Sequence, residues 1–160
     1  MEPIIDQAVV LRKQGEHTAS RELLFSLLQE PEQAAKAHLN IAWSYDNEGM
    51  EREAISHYAS ALNGPLSSTE RFDALFGLAC THRGLGSYED ALGYFESTLS
   101  EYPEANEVKP FYAMCLHNLG RHQEAIEILL RLLVTTTECE AIKEYQRAIL
   151  LYAADVDKKW

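Results

Sequence analysis

The sequence predicts an all-α fold, a solenoid of four helix pairs closed by one terminal helix. Three observations carry this reading. Helix is the only strong period in the hydrophobic pattern. Glycine recurs at Gly15, Gly49, Gly86 and Gly120, at intervals of 34, 37 and 34 residues. In phase with each glycine come a small residue (Ser20, Ala54, Ala91, Ala125) and then a large one (Leu24, Tyr58, Phe95, Leu129). A fixed period with residues in phase is the signature of a helical repeat array rather than of a catalytic site.

Each element follows from local chemistry. Ile4, Ala8 and Leu11 lie one helical turn apart, and Gly15 ends that helix because glycine accepts the left-handed conformation of a C-terminal cap. The second helix carries Ala19, Leu23, Leu24, Leu27 and Leu28, and Pro31 follows it. The second pair runs from about 32 to 48 and from about 51 to 62, with Ile41, Ala42 and Tyr45 on one helix and Ala54, Ile55, Tyr58, Ala61 and Leu62 on the other. Asn63-Gly64-Pro65 breaks it and takes up the three extra residues of the 37-residue interval, since insertions in repeat arrays fall in loops. Ser67-Ser68-Thr69-Glu70 is a capping box opening the third pair, whose faces are Leu75, Leu78 and Ala79, then Ala91, Leu92, Phe95 and Leu99, stopped by Pro103. The fourth pair starts near Asn106 with Pro110 in the first turn, where its missing N–H costs little. Thr135-Thr136-Thr137 ends it. Thr137-Glu138-Cys139-Glu140 reads as a second capping box, starting one terminal helix with Ala141, Ile142, Tyr145, Ala148, Ile149, Tyr152 and Val156 inward and a polar outer face. The expected organisation is a single domain over 1–160, with repeats at about 1–31, 32–66, 67–104 and 105–137 and a capping helix at 138–158.

Bulk properties exclude several functions. A net charge of −11 without any basic run argues against nucleic acid as a partner. No apolar run approaches the ~20 residues needed to span a bilayer. The start, Met1 to Asp6, lacks the features of a signal peptide. Cys80, Cys115 and Cys139 cannot all pair and show no Cys-x-x-Cys spacing, which fits reduced thiols and a cytoplasmic location.

These residues resemble the tetratricopeptide repeat, in the form of a small stand-alone domain of bacterial type. The family motif runs Trp-x2-Leu-Gly-x2-Tyr, then Ala-x3-Phe, then Ala and Pro. The second repeat matches with Ile41-Ala42-x-x-Tyr45, Ala54, Tyr58 and Ala61; the third with Leu78-Ala79, Ala91, Phe95 and Pro103. The fourth matches with Ala113, Leu116, Ala125 and Leu129, and the first with Ala8, Leu11, Ser20, Leu24, Leu27 and Pro31. The motif's Trp is replaced by Ile4, His38, Leu75 and Lys109, and its first Gly by Ala throughout. The resemblance implies a right-handed superhelix with a concave surface for peptides or partner proteins, no reaction and no cofactor.

In this family the first helix of each pair lines the concave surface. Its central places here hold Ile5 and Val9, Leu39 and Trp43, Phe76 and Cys80, Pro110 and Met114, and Gln146 and Leu150 of the terminal helix, with Phe111 beside them. Asn40, Arg83, His117 and Arg147 are assigned to the same surface. Around it stand Arg12, Lys13, Lys36, Arg83, Lys143 and Arg147 against Glu2, Asp6, Asp46, Asp73 and Glu107, so the groove is near neutral and the acidic excess belongs to other faces. The stripe lies off the motif's core positions. It therefore reads as a site for an apolar or amphipathic partner segment, or alternatively as a face for self-association into a homo-oligomer. The competing reading is packing between repeats, which full burial of Trp43 and Phe76 would establish. Some family members grip a C-terminal carboxylate with a Lys/Asn/Arg clamp. Here Ile5, Val9, Asp73 and Gly77 occupy four of its places and only Asn40 fits, so no clamp of that type is expected.

No enzymatic motif emerges. Cys115, His117 and His122 lack a metal-ligand set, the two histidines falling on different elements. Cys80 lies near His82 and Arg83, which could activate a thiol, yet residues two apart on a helix do not face each other. Gly84-x-Gly86 is a helix-ending turn without the strand that precedes a phosphate loop.

Overall fold

The computed structural model describes residues 3–160; Glu2, one of the charges assigned to the groove, lies outside the described residues. Those residues form an all-α chain of consecutive helix pairs. It divides into two compact units, one ending at Tyr94 and the other running from Phe95 to Trp160. The first holds α1 (Ile4–Lys13), α2 (His17–Phe25), α3 (Ala34–Asn47), α4 (Glu51–Leu62) and α5 (Ser68–Gly84). The boundary falls inside α6 (Tyr88–Glu101). The second holds a 3-10 turn (Asn106–Val108), α7 (Lys109–Asn118), α8 (His122–Thr136), α9 (Glu140–Lys143) and α10 (Gln146–Ala154). None of these helices is long and apolar enough to cross a membrane.

The four glycine turns are copies of one device. Gly15, Gly49, Gly86 and Gly120 have φ of 85, 70, 78 and 78°, in the left-handed region. Each glycine N–H bonds the carbonyl three residues back, as Gly49 does to Asp46 at 3.0 Å. The next N–H reaches five back: Glu16 to Leu11, Met50 to Tyr45 and Ser87 to His82 at 2.9 Å, Arg121 to Leu116 at 2.8 Å. These two bonds define the Schellman ending. The residue after the glycine then caps the next helix, its carbonyl accepting from Ser20, Ala54, Ala91 or Ala125. No atom crowds a Cβ built on any of the four, so the requirement for glycine is conformational rather than spatial.

Small residues let the helices approach. One core cluster joins Ile5, Ala8, Leu24, Leu27, Ala37 and Ile41; a second joins Leu39, Ala42, Ala54, Tyr58, Ala61, Ala74 and Leu78. Buried Arg21 ties α2 to α3, donating to Ser44 Oγ at 2.9 Å, pairing with Glu48, and lying 4.3 Å from the Tyr45 ring centre. The capping box at the start of α5 forms in both directions, Glu70 N to Ser67 Oγ at 3.2 Å and Ser67 N to Glu70 Oε2 at 2.9 Å.

Three elements differ from the sequence expectation. α2 stops at Phe25; Leu27 and Leu28 continue it only as tightened turns, bonding carbonyls three residues back, though Leu27 is still buried. The second capping box does not form, because the Thr137 hydroxyl accepts from Cys139 N, two residues on, at 3.1 Å. The terminal helix is two helices, interrupted at Glu144 and Tyr145. α10 packs on α8 and ends at Ala154 rather than near 158, where Gln123 of α8 accepts from Val156 N at 3.2 Å and donates to Ala153 O at 2.9 Å. Tyr145, expected inward, is 67% exposed, and Ala148 and Tyr152 are also exposed.

His38 and His57 face each other across α3 and α4, Nδ1 to Nδ1 at 2.8 Å, beside the rings of Tyr45 and Phe25. Burial lowers both pKa values, and the His38 charge adds to the effect on His57, whose value falls from 6.5 to about 4. Below pH 6.5 the unfolded chain takes up protons that the native pair refuses. Stability is therefore expected to fall as pH drops from 6.5 toward 4, and denaturant titrations of His57→Asn should show a flatter dependence across that window. Gly49→Ala should cost about 1–2 kcal/mol, the strain of a left-handed non-glycine residue, with Gly49→Asn recovering part of it in thermal melts.

Candidate functional site

In the first unit, α1, α3 and α5 bring together Arg12, Trp43, Asp46, Asn47, Cys80 and Thr81. Trp43 is half-exposed, with the Arg12 guanidinium 5.4 Å from its ring centre. Arg12 Nη1 donates to Asn47 Oδ1 at 3.2 Å. Behind this pair runs a polar bridge. Tyr58, a core residue of α4, donates its hydroxyl to Asp46 of α3. The Thr81 hydroxyl of α5 lies 3.3 Å from both Asp46 oxygens and 2.8 Å from Gly77 O. Gly77 makes room for the tyrosine: a Cβ there would lie 2.7 Å from two Tyr58 ring carbons. The residue that empties one place of the carboxylate clamp is thus the one that lets Tyr58 reach Asp46.

Electrostatics follow from burial. Desolvation raises the Asp46 pKa against the lowering effect of its two hydroxyl partners. Burial and the Asp46 carboxylate push the Tyr58 phenol up. Burial, with Asp46 adding, pushes the Cys80 thiol up to about 11 and outweighs the lowering by Arg83. Cys80 is therefore a protonated thiol at neutral pH, with the chemistry of a small apolar residue rather than of a nucleophile.

The residues assigned to the groove separate by exposure. Leu39 is wholly buried in the core, and Ile5 and Asn40 are nearly so; they support the surface and present no face of their own. Asn40 Nδ2 donates to Lys36 O at 2.9 Å. Val9, Trp43, Phe76, Cys80 and Arg83 are half-exposed. In the second unit Phe111 and Met114 are 40% and 41% exposed, His117 and Arg147 are exposed, and Leu150 is half-buried. The α7–α8 turn brings His117 and His122 together, Nδ1 to Nδ1 at 3.0 Å, although they lie on different helices. Cys115 is buried, and among the described residues no group of three His, Cys, Asp or Glu side chains is placed to hold a metal. The second unit also has a cavity of about 220 Å³ lined by Leu99, Tyr112, Ile128 and Leu132, with Lys109, Arg131 and Thr135.

Sequence reasoning placed Arg12 and Asp46 only as charges flanking the groove. It gave no hint of the Tyr58–Asp46–Thr81 bridge, which joins residues distant in sequence. The His38–His57 contact, by contrast, leaves a trace in the sequence: His38 stands where the motif carries Trp, a polar ring at a packing position.

A profile of the family described as Tetratrico peptide repeat matches residues 35–156. Among solved structures, the crystal structure of MamA protein matches with a TM-score of 0.71 and 16% identity, covering 90% of this chain and 74% of that one; at that identity the likeness concerns the fold alone. No curated protein sequence matches the chain.

Cys139 is exposed, Cys80 half-buried and Cys115 buried, which sets an order of alkylation. Iodoacetamide at neutral pH is expected to modify Cys139 first and Cys80 far more slowly, as read by peptide mass spectrometry. Cys80 reacting at a rate equal to Cys139 would contradict its raised pKa.

Proposed function

The chain belongs to the tetratricopeptide-repeat family, and on that premise we propose that it is a non-catalytic scaffold that binds an apolar or amphipathic segment of a partner protein in a concave groove, at the surface lined by the first helices α1, α3 and α5 of its first unit. The family's fold is in general that of a protein-interaction scaffold. Trp43 carries the finer reading. It is a large aromatic side chain that packs in part against the core yet is only half-buried on α3, while Leu39 and Ala42 of the same helix are wholly buried. Tryptophan is over-represented among residues that dominate binding energy. Phe76 on α5 and Val9 on α1 are half-exposed as well, so the surface offers apolar contact from three helices. The bridge behind it holds α3, α4 and α5 in place, so binding requires little ordering of the receptor. Cys80, Cys115 and Cys139 form no disulfide with one another, which suits a reducing compartment, and we assign the protein to the cytoplasm on that ground.

A second reading, self-association, is favoured by the apolar exposure of the second unit: Ile126, Leu129, Leu133 and Leu151 are 40–45% exposed and Trp160 81%. Sedimentation over a range of concentrations separates the two, since self-association raises the mean mass with concentration and a pure peptide receptor stays monomeric.

Panning a random-peptide display library tests the groove. Peptides enriched on the wild type should be lost on Trp43→Ser, Phe76→Ser protein whose circular dichroism is still helical. Equal retention by both proteins would move the binding surface elsewhere.

A further inference from the structure

Arg12 is a half-buried cation whose partners among the described residues are neutral. Among the described residues its guanidinium contacts the Asn47 side-chain oxygen and the Trp43 ring, and its Nε is buried with no hydrogen-bond partner. Burial lowers its pKa, the mark of a charge held without compensation. Lys109 likewise donates to an amide oxygen, of Asn106, and Lys158 lies on the Trp160 ring, whereas five other cations have a carboxylate. Arg21 has Glu48, Lys36 has Glu70, Arg121 has Glu124, Arg131 has Glu127 and Lys143 has Glu140. Among the described residues no carboxylate pairs with Arg12, and what sets it apart from Lys109 and Lys158 is the buried, unbonded Nε. Asp46, on the facing helix, turns its carboxylate to Tyr58 and Thr81. Asp73 of α5 has Glu70 as its charged neighbour. Glu48, at the end of α3, holds Arg21.

We propose that Arg12 and Trp43 form one recognition subsite for a partner segment in which an acidic side chain lies within a residue or two of a large apolar one. This rests on the groove reading and names the partner's chemistry. The apolar side chain packs on the open part of the Trp43 ring, and the carboxylate accepts from the terminal Nη nitrogens of Arg12, the Nε being buried. The indole holds the guanidinium in place beforehand, so little side-chain freedom is lost when the carboxylate docks. A carboxylate supplies an opposite charge to the guanidinium, which neither the neutral Asn47 oxygen nor a neutral amide in the ligand supplies.

The test uses acetylated, amidated peptides, so that a side chain is the sole carboxylate. One series places Glu or Asp beside Leu or Phe; the matched series has Gln or Asn instead. Trp160→Phe leaves Trp43 as the single tryptophan of this two-tryptophan chain, and its fluorescence reports occupancy. The acidic series should bind at least about tenfold more tightly than the amides, the scale of one charge-assisted hydrogen bond. Arg12→Met should abolish that preference and Arg12→Lys should restore part of it. Because the substitution removes an uncompensated charge, Arg12→Met should melt no lower than the parent protein. Equal binding of both series, or a preference that survives in Arg12→Met, would overturn the subsite while leaving the groove standing. A lowered melting temperature in Arg12→Met would overturn it too, by making Arg12 structural. Binding of neither series would remove the groove reading and the subsite together.

Discussion

Everything in this chain depends on a turn of two residues. A glycine in the left-handed conformation closes one helix, and the residue after it caps the next. The two reciprocal bonds of that ending satisfy carbonyls that a helix terminus otherwise leaves open. No slack separates the helices, so the direction of the second is set by the backbone of the first. The alanines at Ala8, Ala42, Ala79 and Ala113 then let helices meet closely, and all four are buried. Local hydrogen bonding thus sets the direction of each helix pair, and packing of the small residues against neighbouring helices completes it.

The bridge through Asp46 adds what the turns cannot. Glycine endings pair each helix with its sequence neighbour; Asp46 connects α3 with both α4 and α5. A half-buried carboxylate is costly alone, and two hydroxyl donors make it tolerable. The consequences reach the surface. Gly77 is open because Tyr58 passes there, and Cys80, placed among buried groups and near a carboxylate, is kept as a thiol. The polar groups behind Trp43 are structural, and the reactive possibilities that the sequence suggests at this place are removed by the same packing.

How much was legible follows from how local each feature is. The four glycine endings, the Ser67–Glu70 box and Pro110 in the first turn of α7 involve residues a few positions apart, and their chemistry reads directly from sequence. The Thr137–Glu140 box carries the same letters but sits against the end of α8, where a shorter turn to Cys139 captures the hydroxyl. The groove was legible only as a register. Counting along the first helices selects Leu39 and Trp43 alike, yet one is buried and the other is not, because exposure depends on what the neighbouring helices bring. His117 and His122 were separated by element and are joined by the very turn that separates them. Tyr58 was visible as a core aromatic; that its hydroxyl emerges beside Asp46 depends on a missing side chain at position 77, on another helix.

The two units differ in the chemistry they offer, and the difference bears on how each can recognise anything. The described surface of the first places an aromatic ring, a cation and bonded polar groups at fixed distances, all braced from behind. Such an arrangement discriminates, because a ligand lacking the complementary group leaves a half-buried polar group unmet. The second exposes a run on α8, Ile126, Leu129 and Leu133, recurring at helical spacing, together with Tyr145, Leu151 and Trp160 near the end of the chain. Trp160 is held by a 2.7 Å bond to the Tyr152 hydroxyl and by Lys158 4.5 Å from its ring, so even the last residue is positioned. Apolar area of this kind attracts without selecting, since burial is non-directional. In the proposed mode of binding, selectivity belongs to the charged and aromatic pair of the first unit, and any affinity contributed by the second is of a kind that many apolar surfaces would satisfy.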